Sequence, residues 1–488
     1  KFCIKYVNFK KLTKMLRGLL NVRNYLKSFR LVKNGLKRNS NWVSLLLNKE
    51  SSHELKIKFS TALSSKRSHE SGDLIPYYFA KDLVSFYNAL PNANSKVELF
   101  QALSTNLGID TEQVETSLVK LHKSITEKST LVNRNQEELL LSLIPTYKHL
   151  FDDISRLSEG VGFLVNMRKD LRHLFKSNLL DRNSPNLRVF DNFLKKHLAE
   201  WFADGFMDLQ PITWNSTSAG FIEKLMKSEA VHPINSWSEM KQRMGNRRRV
   251  FAFTHRMIPD EPLVVLHALL GDNIPSNINS VLQTDNYPME KDLVKTATFY
   301  SISAIHRGLD GIGLGNLLIK KVVHELKREF PTLDTFVTLS PVPNFRKWLD
   351  HHLNIVVSGE PIPQTFIGFD MQTCCDIKNM LSTENWHLND DLCSKLELPM
   401  KKLCARYLSR EKRRGLAFDP VAHFHLRNGA ILWRLNWLGN PNQMGMDLSY
   451  GLMVNYKYNL TDIEANNYEY LVHSKVATSA DVQVTADS

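Results

Sequence analysis

The chain has 488 residues, of which 43% are hydrophobic and 23% charged, enough for two or more domains with ordinary globular cores. Its formal net charge of +13 comes from one segment: residues 1–49 hold 13 Lys or Arg and no Asp or Glu, which leaves 50 basic and 50 acidic residues elsewhere. The evenly charged body argues against a nucleic-acid partner, and no apolar run approaches the roughly 18–20 residues that a stable membrane span needs.

Residues 1–50 are predicted to be a basic targeting segment, because they mix Lys and Arg with Leu, Phe, Tyr and Val. This composition is typical of a mitochondrial transit peptide, which places the mature protein in the matrix. A basic helix lying on a membrane surface or on a partner is the alternative. Residues 51–73, rich in Ser, Lys and His, are predicted to be a linker. We expect residues 1 to about 70 to be dispensable for folding and chemistry.

Residues 74–202 show helical periodicity throughout. Pro145 should interrupt the helix that begins at Gln136. The block contains no catalytic constellation, which favours a scaffold or oligomerisation role. Helices are predicted over 77–89, 95–107, 110–125, 136–157, 160–176 and 186–202.

Residues 203–476 are predicted to form a mixed α/β domain that carries the chemistry. The region 359–412 resembles an insertion, and the small, polar segment 477–488 is expected to be mobile. Strands are predicted over 248–254, 263–270, 296–303, 335–340, 433–437 and 453–458.

A parallel β-α-β unit with a glycine-rich loop is predicted over 296–340. Glycines at 308, 311, 313 and 315 precede an amphipathic helix over 316–330. Glycine lets a backbone approach a ligand closely, and free N–H groups at a helix start favour an anion. A loop whose glycines serve only turn geometry is the alternative. No Gly-Lys-Ser/Thr follows, which argues against an ATP-binding P-loop.

A short helix over about 420–428 is predicted from Asp419 as N-cap, Pro420 at the first position and Gly429 after the end. On this helix His425 falls on the apolar face. His423 lies about 200° around the axis, so only one of the two can face a shared pocket. Residue pattern alone also fits a buried histidine that a backbone carbonyl satisfies.

Ser340 ends a predicted strand directly before Pro341. No G-x-S-x-G pattern surrounds it, so an acyl-serine mechanism is not indicated. A hydrogen-bonding hydroxyl where the two parallel strands separate is one interpretation, and a turn-capping serine is the other. Five cysteines without a C-x-x-C pair fit a reducing compartment and predict neither a metal site nor a cofactor.

The segment from Gly311 to Leu318 resembles the pyrophosphate loop of the GNAT acyl-CoA fold. Longer strings, spread in order over residues 140–460, are similar to the malonyl-CoA decarboxylase family. They cover residues 229–233, 261–267, 299–303, 338–345 and 419–429.

The resemblance implies an α+β multidomain fold, with an N-terminal all-α helical domain and a C-terminal GNAT-like α/β domain. It also implies a homo-oligomer (a tetramer), malonyl-CoA as substrate and no cofactor. His425 matches the family's proton donor and Ser340 its catalytic serine. Substrate-binding roles are implied for Ser301, Gly313, Leu314, Gly315, Asn316 and Tyr458.

Two departures from the family pattern stand out. Relatives commonly carry Glu where this chain has Gly313, so any role of that carboxylate in the acyl pocket is missing. Family members often end in Ser-Lys-Leu, whereas this chain ends Ala-Asp-Ser, which argues against peroxisomal import and leaves the cytoplasm as a second location.

Two other functions remain open from the residues. A CoA-dependent acyltransferase on the same fold would need an acceptor. A CoA-ester-sensing protein without activity would agree with Gly313. His306-x-x-x-Asp310-Gly also matches a motif of another CoA acyltransferase class, but its usual preceding histidine is Ile305 here.

Overall fold

The structure is a computed structural model that describes residues 75–283, 290–361 and 363–487. The predicted targeting segment, 1–50, and the predicted linker, 51–73, lie outside the described residues. Within the described ranges, no helix is long and apolar enough to cross a membrane.

Seven helices form the N-terminal part of the described chain. All the predicted helices are found, and Pro145 divides the one expected over 136–157 into two, as predicted; it stands as the residue before the second, with an extended backbone. Asp110 caps the third helix through the N–H groups of Glu112 and Gln113, as its position predicts. The helices are α1 (Ile75–Asn88), α2 (Ala93–Asn106), α3 (Thr111–Thr126), α4 (Val132–Ser142), α5 (Thr146–Ser155), α6 (Gly160–Lys176) and α7 (Pro185–Trp201).

A mixed sheet forms the centre of the C-terminal part. Its strands are β1 (Asp208–Ile212), β2 (Arg248–Thr254), β3 (Val264–Gly271), β4 (Thr296–Ala304), β5 (Thr335–Thr338), β6 (Ser340–Pro341), β9 (Ile431–Asn436) and β10 (Met453–Tyr458). The first five lie side by side in chain order, β5 and β6 both pair with β10, and β9 pairs with β10 as well. A separate hairpin joins β7 (Lys412–Arg413) to β8 (Leu416–Ala417). The predicted strands are found, the one expected over 335–340 as the two strands β5 and β6, while β1, β7 and β8 were not expected.

Eleven further helices surround the sheet in the described residues. The long amphipathic one, α11, connects the parallel strands β4 and β5, which confirms the predicted β-α-β unit. Two helices, α13 and α14, fill the region that resembled an insertion. The bounds are α8 (Ala219–Ser228), α9 (Trp237–Gln242), α10 (Ile278–Leu282), α11 (Leu314–Glu329), α12 (Phe345–Val357), α13 (Met371–Ser382), α14 (Asp390–Arg410), α15 (Pro420–Arg427), α16 (Gln443–Ser449), α17 (Ile463–His473) and α18 (Ala480–Asp487).

One hydrophobic core joins the two parts. The same contiguous cluster contains Leu164 and Leu171 of α6, Leu194 of α7, Leu318 of α11 and Phe336 of β5. The predicted architecture, a helical domain followed by an α/β domain, is therefore confirmed, but the helical part packs directly into the core of the sheet.

Strands β4 and β5 separate at the point where the site lies. Their parallel pairing runs from Thr296 opposite Thr335 to Phe299 opposite Thr338. Beyond it, β4 continues along β3 to Ala304, whereas Ser340 turns to pair with β10. The backbone thus opens between two neighbouring strands of the sheet.

The C-terminal segment is a helix, contrary to the expected mobile tail. In α18, Val482 and Ala486 are buried. The guanidinium of Arg406 in α14 donates to the carbonyl of Ala486 over 2.8 Å. Small residues such as Ala and Val suit a close helix contact, a packing role that polarity alone did not reveal.

Candidate functional site

A buried chain of hydrogen bonds joins Ser340, His425 and Tyr458. The Nε2 atom of His425 lies 3.1 Å from Ser340 Oγ, and its Nδ1 atom lies 2.8 Å from the hydroxyl of Tyr458. All three residues are buried. They come from α15, the end of the β5–β6 segment and β10, so only the folded chain brings them together.

Helix α15 holds His425 because its ends are fixed. The Asp419 carboxylate accepts from the N–H groups of Val421 and Ala422 at 2.9 and 3.0 Å, and Pro420 occupies the first turn. Gly429 after the helix has a φ of +76°, and a Cβ there would lie 2.1 Å from the carbonyl oxygen of Ile463. The predicted cap, start and stop of this helix are all confirmed.

His423 faces different groups from His425. Its Nδ1 atom lies 2.8 Å from the hydroxyl of Tyr470, which itself accepts from the N–H of Ala417. His423 is therefore bonded to Tyr470 and not to the group of residues around His425. The predicted orientation, with His425 inward and His423 away from it, is confirmed, while the roles of the two histidines stay a prediction.

Two residues that sequence reasoning missed complete the surroundings of His425. The ring of Tyr456 stacks on the imidazole with ring centres 4.6 Å apart. The hydroxyl of Thr338 accepts from Ser340 Oγ at 2.9 Å and from the N–H of Tyr456 at 3.1 Å. Strand periodicity carried a signal for both, because each lies two residues before a predicted site residue on the same strand segment.

Burial keeps His425 neutral. Removal from water lowers the pKa of its imidazole from 6.5 to about 3, and no neighbouring carboxylate opposes this shift. Burial also raises the pKa of Tyr458, which stays a phenol. The resting site therefore carries a neutral imidazole.

The glycine loop presents unpaired amides at the start of α11. Gly313 stands before the helix with a φ of +91°. In the described chain, no carbonyl accepts from the N–H groups of Gly313, Leu314 or Gly315, whereas the N–H of Asn316 bonds to the carbonyl of Gly313 at 3.2 Å. Three free amides therefore stand at this helix start, and the substrate-binding roles implied for Gly313, Leu314, Gly315 and Asn316 stay predictions.

Gly315 also serves helix packing. A Cβ there would lie 3.0 Å from Cε2 of Phe424, the residue before His425. The missing side chain therefore allows α11 to approach α15, while the predicted role of Gly315 in substrate binding stays a prediction. At Gly313 no atom lies within 4 Å of the Cβ position, so its positive φ, not crowding, favours glycine there.

Ser301 lies in a buried cluster of its own. Its hydroxyl donates to both carboxylate oxygens of Glu229 at 2.8 Å. Among the described residues no hydrogen bond joins Ser301 to Ser340 or His425. The substrate-binding role implied for Ser301 stays a prediction.

Glu229 is the centre of that cluster. Its carboxylate also accepts from the N–H groups of Val231 and His232, and His267 Nε2 lies 3.5 Å away. Burial opposes its ionisation, but His267 and these hydrogen bonds outweigh burial and lower the pKa of Glu229. Burial lowers the pKa of His267 to about 4. Two segments that resembled the family, 229–233 and 261–267, meet here.

The fold and the site define a class of protein: an α/β enzyme with free amides at a helix start, two separating strands in the sheet and a buried neutral histidine bonded to a serine. Among the described residues no group of three or more His, Cys, Asp or Glu is arranged to hold a metal ion. Comparison with known proteins then gives the family.

The chain belongs to the malonyl-CoA decarboxylase family. Residues 107–202 match the family model for the malonyl-CoA decarboxylase N-terminal domain, and residues 205–487 match that for the C-terminal domain. Mitochondrial malonyl-CoA decarboxylase of Rattus norvegicus is 38% identical over 415 residues, which cover 82% of this chain and 84% of that protein. The protein of the same name from Anser anser anser is 36% identical, with 82% of each chain covered.

Solved structures agree with this assignment. The crystal structure of malonyl-CoA decarboxylase from Rhodopseudomonas palustris superposes with a TM-score of 0.75 at 33% identity, covering 89% of this chain and 99% of that one. That of malonyl-CoA decarboxylase from Agrobacterium vitis has a TM-score of 0.77 at 31% identity, covering 92% and 100%.

Proposed function

We propose that this chain converts malonyl-CoA to acetyl-CoA and CO2, with His425 as proton donor and Ser340 as its hydrogen-bonding partner. The observation that carries the proposal is the 3.1 Å contact between Ser340 Oγ and His425 Nε2 at the opening between β4 and β6. Family membership supports the substrate.

The reaction needs little chemistry from the protein. The bond between C2 and the carboxylate carbon breaks, CO2 leaves, and the electron pair delocalises onto the thioester carbonyl as an enolate. One proton added at C2 then gives acetyl-CoA. The protein has to hold the carboxylate out of the thioester plane, stabilise the developing oxyanion and deliver that proton.

A neutral imidazole is sufficient for the proton transfer. The carbon of a thioester enolate is a far stronger base than an imidazole nitrogen, so an N–H group at Nε2 can supply the proton. Ser340 Oγ, 3.1 Å from Nε2, relays the proton: its hydroxyl proton passes to C2, and the proton of the N–H at Nε2 replaces it. A proton from solvent then restores the N–H at Nε2, while Tyr458, which keeps its own proton because burial raises its pKa, holds Nδ1 as an acceptor over the 2.8 Å hydrogen bond.

The coenzyme end of the substrate binds at the glycine loop. The N–H groups of Gly313, Leu314 and Gly315 have no acceptor in the described chain, and they lie at a helix start, where the helix dipole favours an anion. The pyrophosphate of CoA supplies that anion. The ammonium of Lys195 adds positive charge beside the loop, 3.2 Å from where a Cβ of Gly311 would be.

Incubation with malonyl-CoA and no acceptor tests the proposal. We expect CO2 and acetyl-CoA in equal amounts. Turnover that appears only when an acyl acceptor is added would instead indicate a CoA-dependent acyltransferase. Tight binding of malonyl-CoA without any turnover would indicate a sensing protein and would refute the proposed activity.

We further infer that the protein is a self-associating enzyme of the mitochondrial matrix. The names of the relatives and the acid-free segment 1–49 support the location. Exposed apolar side chains on α3 and α4, among them Val119, Leu140 and Leu141, support association through the helical domain. Light scattering on the double variant Leu140→Lys/Leu141→Lys should show a smaller assembly, and an unchanged mass would place the contacts elsewhere.

A further inference from the structure

We infer that Arg168 of the helical domain is a positioning residue for the CoA-binding loop, an inference that rests on the proposed function. Arg168 lies on α6, outside the α/β domain, and is among the most deeply buried side chains of the protein, with 1% of its surface exposed. A buried guanidinium is stable only when its donors are paired, so its partners indicate its purpose.

Two of those partners are backbone carbonyls of the glycine loop. The Nη1 atom of Arg168 donates to the carbonyl of Gly308 at 2.6 Å and to that of Asp310 at 3.1 Å. Its Nε atom donates to the carboxylate of Asp191 on α7 at 2.8 Å, which fixes the guanidinium within the helical domain. Arg172, one turn further along α6, reaches the Asp310 side chain at 3.3 Å.

Close backbone packing reinforces this contact. A Cβ at Gly308 would lie 2.0 Å from the carbonyl oxygen of Val165, so the loop touches α6 directly. The loop is therefore fastened at its beginning to the helical domain, while its end starts α11 and meets Phe424 beside His425 at Gly315.

This arrangement determines where the free amides point. With the carbonyls of residues 308 and 310 directed at Arg168, the loop cannot rotate its peptides without leaving the buried Nη1 donor of Arg168 unpaired. The free amides of Gly313, Leu314 and Gly315 follow Asp310 by three to five residues. Their direction is therefore set by the part of the loop that Arg168 holds. The helical domain thus contributes to coenzyme binding although none of its residues has to touch the reacting atoms.

The test compares three full-length variants. Arg168→Lys keeps the charge beside Asp191 but replaces the planar donor set by a point charge, and Arg168→Met removes both. Asp170→Asn is the matched control, because Asp170 lies on the same helix and contacts Tyr87 and Lys96 rather than the loop. Calorimetry with CoA, steady-state rates, and amide hydrogen exchange over residues 307–313 are measured for each.

We expect Arg168→Lys to raise the Kd for CoA and the KM for malonyl-CoA together by about ten-fold, with kcat within about three-fold, since uniform binding is lost. Arg168→Met should weaken CoA binding more than Arg168→Lys does. Amide exchange at residues 307–313 should accelerate in both Arg168 variants, whereas Asp170→Asn should match the wild type. Unchanged Kd, KM and exchange in a folded Arg168→Lys would overturn the inference.

A failure of the variants to fold and a failure of the proposed function can each be distinguished from a failure of the inference. If the Arg168 variants do not fold, Arg172→Met decides, because Arg172 is partly exposed; unchanged exchange and Kd there would overturn the inference. If the wild type neither binds CoA nor releases CO2, the proposed function fails, whereas the hold of Arg168 on the loop is still judged by hydrogen exchange, which needs no ligand.

Discussion

At the scale of single residues, the site depends on one imidazole that is satisfied on both nitrogens and shielded from water. Tyr458 and Ser340 bond its two sides, and Tyr456 covers its face. Such a side chain has one orientation and one charge state, which is what a directed proton transfer requires. Its neighbour His423, bonded to Tyr470, offers a natural comparison.

His425→Asn should reduce decarboxylation by about 10²–10⁴-fold while CoA binding and the fold persist, because the proton donor is lost. Ser340→Ala should lower kcat and change KM much less, because a hydrogen bond of the transition state is weakened. If the proton passes through Ser340, the double variant should be no slower than the slower single variant. His423→Asn is the control and should change the rate little. If His423→Asn is the inactive variant instead, the assignment of His425 as the family's proton donor is wrong.

The pH dependence of kcat should show no group that titrates near pH 6.5. Burial lowers the pKa of His425 to about 3, so its neutral form persists from pH 5 upward and only a more acidic medium would protonate it. Rates measured from pH 5.5 to 8.5 check this. A fall in kcat on the acid side that disappears in His425→Asn would show that the histidine titrates in this range and that its site is wetter than the structure indicates.

At the scale of elements, two helices meet through a glycine. Gly315→Val would place a branched side chain against the ring of Phe424, where even a Cβ comes within 3.0 Å. We expect kcat to fall together with CoA affinity, since α11 and α15 would be forced apart. Gly220→Val is the control, because Gly220 lies near the start of α8 with no atom within 4 Å of its Cβ position. A loss confined to CoA affinity would place the effect at the ligand instead.

Elements with strong local signals were predictable from sequence. The cap, proline and glycine around α15, the interruption at Pro145 and the β-α-β unit all follow from local chemistry. The hydrogen bond between Ser301 and Glu229 was not, because the two residues lie 72 positions apart and only the folded chain brings them together. Arg168 and Gly308 lie 140 residues apart in the sequence, so no local sequence pattern could predict their contact.

At the scale of the whole molecule, the helical and sheet parts share one hydrophobic cluster. We therefore expect a single cooperative thermal transition of the described body, because neither part can lose its partner without exposing buried apolar surface. Calorimetry tests this. Expression of residues 203–488 alone should correspondingly give aggregated protein. Two resolved transitions, or a soluble and folded fragment, would show that the parts are separable.

The contact between Gly315 and Phe424 also has a consequence for substrate choice. It fixes the span between the amides at the start of α11 and the imidazole of the following residue, His425. A substrate that is bound at the amides and also reaches the imidazole must have an arm of matching length between its pyrophosphate and its acyl carbon. Malonyl thioesters of short thiols would carry the same reactive group without the nucleotide anchor, so the protein would discriminate against them by reach rather than by the chemistry of the acyl group.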